Sequence, residues 1–176
     1  TAKITVQHGL IFDDMLRRFG EERARLYVAA QTAALEEYRA LCREVDCDFE
    51  EQDSYVYSTS DRRKLEREVA ALERLGCAAN LEESLPIPVS TVGAVRVPRQ
   101  AQFHPLKFAY AIARELPVLE DTRVIELRGN VAITNHGRIR TQKVIVATHF
   151  PFINKHGGYF LKMYQHRSYV LGLEGA

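Results

Sequence analysis

Apolar and polar positions first follow a helical rhythm and later an extended one. After an opening of alternating character, TAKITVQHG, apolar residues fall at Leu10, Ile11, Met15, Leu16 and Phe19, one face of a helix stopped by Gly20. A second helix is expected from Glu21 to about Val45. Leu26, Ala30, Ala33, Ala34, Tyr38, Leu41 and Cys42 take its apolar face, and Glu22, Arg25, Glu36, Glu37, Arg39 and Arg43 its solvated face. Residues 54–58, SYVYS, suit a half-buried strand with Tyr55 and Tyr57 on one side. Ser60 is placed to cap a helix striped by Leu65, Val69 and Leu72 and closed by Gly76.

Prolines at 86, 88 and 98 exclude helix between Leu85 and Pro98, leaving Val92–Val97 as a short strand bounded by Pro98. Pro105 suits a first helical turn, with His104 as a cap and Leu106, Ala109, Ile112 and Ala113 as an amphipathic stripe. Extended runs at 118–127, 131–134 and 139–148, separated by glycine-bearing turns, predict a three-stranded meander. Within it, TQKVIVATHFPF contains an unbroken apolar run ending in Ala147 and Thr148, which predicts a strand buried on both faces of a parallel sheet. No convincing βαβ crossover supplies its partners. The tail from Tyr159 to Leu173 is expected to be extended, with Tyr164, Arg167 and Tyr169 along it. The pattern is that of an α+β protein: an antiparallel or mixed sheet with helices on one face, residues 1–176 forming a single structural unit.

Composition narrows the function. A chain of 176 residues, 46% hydrophobic and 27% charged, can bury one ordinary core. Its net charge of +1 arises from interleaved signs, which makes a nucleic-acid or anionic-membrane partner a poor fit. No apolar run approaches the roughly 20 residues of a membrane span, and a cytoplasmic location is the expectation. Cys42, Cys47 and Cys77 form no CxxC pair and read as free thiols, and the six histidines lack the HxxxH spacing that seats a metal. His149, at the end of the apolar run, is the histidine best placed for a ligand. There is no GxSxG elbow and no GxxxxGK[ST] loop.

Three segments, taken in order, resemble the D-amino-acid oxidase-like family of FAD-dependent oxidoreductases: TAKITVQHG, QAQFHPLKFAYAIA and EDTRVIELRGNVAITNHGRIRTQKVIVATHFP. The family's acid-Pro or His-Pro helix start is matched by His104 and Pro105. Its TxVxxI strand is matched by residues 122–127, and its buried strand ending in an Ala-Thr-Gly-like turn by Val146, Ala147, Thr148 and His149. The resemblance implies that Val124 offers backbone groups to the adenine of FAD and that Ala147, Thr148 and His149 lie near its adenosine and pyrophosphate. It further implies that Thr1, Ala2, Lys3, Ile4 and Thr5 pass the pyrophosphate and flavin ring, Lys3 favouring negative charge on the reduced flavin. His149 stands where the family has glycine.

By the same resemblance, residues 10–117 are mainly substrate-domain. Residues 1–9 and 118–152 belong to an FAD-binding domain, and 159–176 form a return strand. The family's GxGxxG strand-turn-helix does not occur in this sequence, so a piece of a larger parent is expected, with weak or no FAD binding by itself and the rest of the parent chain as partner. The parent would oxidise a small-molecule amine or amino-acid-like substrate, with Tyr55, Tyr57, Gln102, His104 and Arg167 lining the pocket. The alternative is a non-catalytic α+β binding or protein-interaction module offering the long helix from Glu21 to Val45 as its partner surface.

Overall fold

The computed structural model describes residues 2–85, 88–150, 158–167 and 169. The chain divides into two compact units, Thr1–Pro117 and Val118–Ala176, where the sequence pattern suggests one.

In the first unit the central strand is β4 (Gly93–Gln102). Strand β2 (Glu50–Ser58) runs antiparallel along one edge of it, and β3 (Asn80–Glu82) and then β1 (Lys3–Ile4) pair along the other. Pro98 does not end this strand. Opposite Asp53, β4 carries the extra pair Pro98 and Arg99 as a β-bulge, Arg99 taking a φ of 54°. The Asp53 carboxylate accepts the Arg99 N–H at 3.1 Å, and the ladder resumes at Gln100.

Helix α1 (Phe12–Glu44) is interrupted at Gly20, whose φ of 79° and ψ of 169° leave the helical region, so the break expected at that glycine is present. The apolar faces differ from the expected ones. Phe12 is fully buried while Phe19 is exposed, and beyond Gly20 the buried positions are Ala24, Val28, Leu35, Arg39 and Cys42, with Leu26 turned outward. The second segment has small or apolar residues on more than one side, and packing against α2 in the common core buries the side of Ala24, Val28 and Leu35. Arg39 belongs to the buried face because its guanidinium pairs with Glu36 and with Glu51 on β2 and donates to the Arg99 carbonyl.

Helix α2 (Arg62–Arg74) has the expected stripe of Leu65, Val69 and Leu72, but Asp61, not Ser60, caps it by accepting the Lys64 N–H at 2.9 Å. Ser58 Oγ instead accepts from Ser60 and Asp61 in the turn before it. On the core side of α2 lies Glu68, 1% exposed, whose carboxylate accepts the N–H groups of Ile11, Phe12 and Asp13 and so caps α1 from a distance. Helix α3 (Pro105–Arg114) begins at the expected proline, but none of its residues is buried.

The second unit holds the expected meander in shorter strands: β5 (Val124–Arg128), β6 (Val131–Thr134) and β7 (Arg138–Arg140), all antiparallel. Every pairing described in either unit is antiparallel, in keeping with the α+β class. The run at 144–148 is not a buried strand. It has no strand pairing, and Ile145 is 90% exposed. A parallel strand needs a parallel neighbour joined through a crossover, and every pairing among the described residues is antiparallel. A short helix α4 (Tyr159–Lys162) replaces the extended start of the tail; residues 163–167 and 169 follow without strand pairing, and the rest of the tail lies outside the described residues.

Candidate functional site

Pairing in the first unit gathers the opening segment with two of the candidate pocket residues. Lys3 lies opposite Gln102 on β4, which lies opposite Glu50 on β2, and Gln102 Nε2 donates to the Glu50 carboxylate at 2.7 Å. The segment is tied down further on. The Val6 N–H donates to Gln100 Oε1 at 2.8 Å, and Gln7 Nε2 donates to the Val95 carbonyl at 3.1 Å. The Phe103 N–H reaches the Ala2 carbonyl at 2.9 Å, and the His104 N–H reaches the Cys47 carbonyl at 2.7 Å. His104 caps α3 through Nδ1, which accepts the Lys107 N–H. The Lys107 ammonium pairs with Asp48 at 2.7 Å, and that hydrogen bond holds its pKa above the ordinary lysine value.

Two concavities flank this junction. One, of about 410 Å³, is bounded by Ala2, Asp48, Glu50, Gln102 and His104. The other, of about 380 Å³, has Lys3, Ile4 and Thr5 on one wall and Tyr38, Phe103 and Phe108 on another. The three aromatic rings pack with centroids 5.4–5.8 Å apart. At its rim His8 Nε2 and Gln31 Oε1 lie 3.1 Å apart.

Tyr55 and Tyr57 are exposed on one side of β2, where Tyr55 faces Arg96 across the ladder. Five residues of strand, about 17 Å, separate Tyr55 from Glu50, and alternation turns the two to opposite faces. The structure therefore does not bring the tyrosines to Gln102 and His104.

In the second unit Val124, Ala147 and Thr148 do come together. They line an open cleft of about 1000 Å³ with Thr122, Arg123 and Leu127. Among the described residues strand β5 is the edge of its sheet, and the register shift between Val124 and Glu126 makes Ile125 a bulge on the cleft side. Thr148 Oγ1 donates to the Phe150 carbonyl at 2.9 Å, and exposed His149 has a φ of 62°, the left-handed conformation that glycine adopts most easily. The described donors fit the adenosine end of a dinucleotide: apolar walls for a flat base, an unpaired strand edge, and the Arg123 guanidinium, which has no ion pair among the described residues. Arg167 is exposed in an irregular segment after α4 and is not among the residues lining the cleft of its own unit, and Thr1 lies outside the described residues.

Glu50, Tyr38, Phe103 and Phe108 were not legible as site residues. Only the pairing of Lys3 with Gln102 gathers them, although two phenylalanines flanking His-Pro hint at an aromatic wall. Among the described residues no group of three His, Cys, Asp or Glu side chains could hold a metal ion. No described helix is long and apolar enough to cross a membrane.

The fold is similar to that of L-proline dehydrogenase from P. horikoshii, with a TM-score of 0.57 over 69% of this chain and 38% of that one, at 20% identity. Residues 6–176 match the family described as FAD dependent oxidoreductase (DAO), and the chain belongs to that family. A Bacillus subtilis (strain 168) protein named as a Rieske 2Fe-2S iron-sulfur protein, YhfW, is 34% identical over 187 aligned residues, 99% of this chain. The chain spans 37% of that relative's length.

Proposed function

We propose that the chain is the substrate-side part and a portion of the cofactor-side part of an FAD-dependent oxidoreductase that oxidises the C–N bond of an amine or amino-acid-like substrate. The observation that carries this reading is the family match over residues 6–176, which includes the cleft together with Gln102 and His104. Residues 10–117 would be mainly substrate-domain and 1–9 with 118–152 cofactor-domain; the division of the chain at Pro117 supports the second boundary, while residues 3–4 pair with β4 inside the first unit. FAD, when bound, would supply the two-electron acceptor that oxidation of a C–N bond requires.

This chain's own residues would bind and orient. Val124, Ala147, Thr148 and His149 would hold the adenosine side, and residues 1–5 would run beside the flavin, Lys3 lending positive charge. Gln102 and His104, gathered beside Lys3, are better supported as pocket residues than Tyr55, Tyr57 or Arg167. Family membership favours this reading over the binding module.

The relative's name raises an iron–sulfur centre as the electron acceptor. The thiols of this chain do not fit one. A Rieske cluster takes two cysteine thiolates and two histidines, whereas Cys42 and Cys47 are buried and Cys42 is pushed up to about 12, first by burial and then by its Cys47 neighbour. Free thiols also accord with the cytoplasmic location we propose.

The test is anaerobic addition of amines and amino acids to the full-length protein. Bleaching of the flavin absorption band by at least one of them is the expected result. A full-length protein that purifies without flavin, or whose flavin no amine reduces, would refute the proposal.

A further inference from the structure

The pocket between β1, α1 and α3 has a composition unlike its surroundings. Ile4, Leu35, Tyr38, Phe103 and Phe108 give it an apolar wall within an otherwise polar end of the sheet, where Glu50, Gln52 and Gln102 stand exposed. The aromatic rings meet edge-on or tilted, at 5.8, 5.6 and 5.4 Å, the geometry in which a further ring can join without facing another squarely. At about 380 Å³ it lies within the range of ligand-binding pockets, and polar groups reach it only at the rim, from Lys3, Thr5 and the His8–Gln31 pair.

Its position matters as much as its lining. The wall formed by Lys3, Ile4 and Thr5 is the segment that the proposed function puts beside the flavin, so a group filling the pocket would be attached close to the reacting carbon. We infer that this pocket receives the side chain of the substrate, and that the protein prefers amino-acid-like amines bearing an aromatic or bulky branched side chain over small ones. Tyr38, Phe103 and Phe108 are then the specificity-determining residues, while Lys3 at the rim suits a carboxylate on the same molecule. This inference rests on the proposed function for its account of what is oxidised, but the pocket's preference can be measured without turnover.

Phenylacetate and acetate are titrated calorimetrically into the full-length protein and into Phe108→Ser and Tyr38→Ser variants. Expected is binding of phenylacetate tighter than acetate by about tenfold or more, a preference reduced to within about threefold in each variant while acetate affinity is unchanged. Tyr38 is the more exposed of the two, so its variant serves if Phe108→Ser lowers the melting temperature. Equal affinity for the two acids, or a preference that survives in a folded variant, overturns the pocket assignment. Anaerobic reduction by phenylalanine and alanine reads the other link. If neither bleaches the flavin while the phenylacetate preference holds, the oxidation reading falls and the pocket stands. If alanine reduces the flavin as readily as phenylalanine, the substrate preference is refuted and the oxidation reading stands.

Discussion

The Glu68 carboxylate accepts the backbone N–H of Phe12 at 2.8 Å across fifty-six positions of sequence. Its two oxygens also take the N–H groups of Ile11 and Asp13, so one buried side chain supplies the first turn of α1 with acceptors that no local residue offers. Glu68→Ala is expected to destabilise the first unit by about 2–3 kcal/mol, since a charge-assisted acceptor is lost beside fully buried Phe12. Chemical denaturation of the two proteins measures it. Loss below about 0.5 kcal/mol would mean that water replaces the carboxylate without cost.

Gly93 opens β4 with a φ of 131°, and a Cβ there would lie 2.9 Å from the Glu82 carbonyl oxygen on β3. The clash is with backbone, so it cannot be relieved by a rotamer change. Gly93→Ala should cost about 1–3 kcal/mol and loosen the β3–β4 pairing, seen as faster amide exchange at residues 80–82 and 94–96.

Asp53 shows how the bulge responds to acid. The Arg96 guanidinium, and then the Arg99 N–H, hold its carboxyl below the ordinary aspartate value. A folded pKa below the unfolded one adds stability above the unfolded value, near 4, and that stability is lost as pH falls through the folded value. Asp53→Asn should therefore be less stable than the parent at pH 7, with the gap closing below about pH 4. A gap independent of pH would assign the effect to packing alone.

The cysteines should divide by burial. Cys42 is held protonated at neutral pH, and Cys47 is 1% exposed, so neither should react with a thiol reagent at pH 8 while the chain is folded. Burial raises Cys77 as well, but it is only partly covered and should react slowly. One slow thiol in the folded protein and three fast ones after denaturation is the expected titration.

Lys3→Met in the full-length protein should lower the flavin reduction potential, because it removes the positive charge proposed to favour the reduced form. An unchanged potential and unchanged turnover would end that role.

Local rules carried much of this architecture. The break at Gly20, the Pro105 helix start, the Leu65–Val69–Leu72 stripe and the hairpins at Gly129 and Gly137 each depend on a few neighbouring residues, and all are present. What failed depended on distant partners. Arg39 reads as solvated until Glu51 and the Arg99 carbonyl are placed beside it, Pro98 reads as a strand end until Asp53 faces the bulge, and nothing local in the sequence marks Glu68 as the partner of Phe12. The candidate site divides the same way. Val124, Ala147 and Thr148 line one cleft although the run at 144–148 pairs with no strand, whereas the junction of Lys3, Gln102 and Glu50 depends on register between three separate strands.

The exposed run at 144–148 also bears on handling. Val-Ile-Val-Ala-Thr is rich in β-branched residues and carries no charge, and Ile145 stands almost wholly in solvent, so the segment has the character of a seed for intermolecular stacking into fibrils. Lys143 is its adjacent gatekeeper. Concentrated solutions of this chain should accordingly turn turbid and bind thioflavin over time, and a lysine in place of Ile145 should keep them clear.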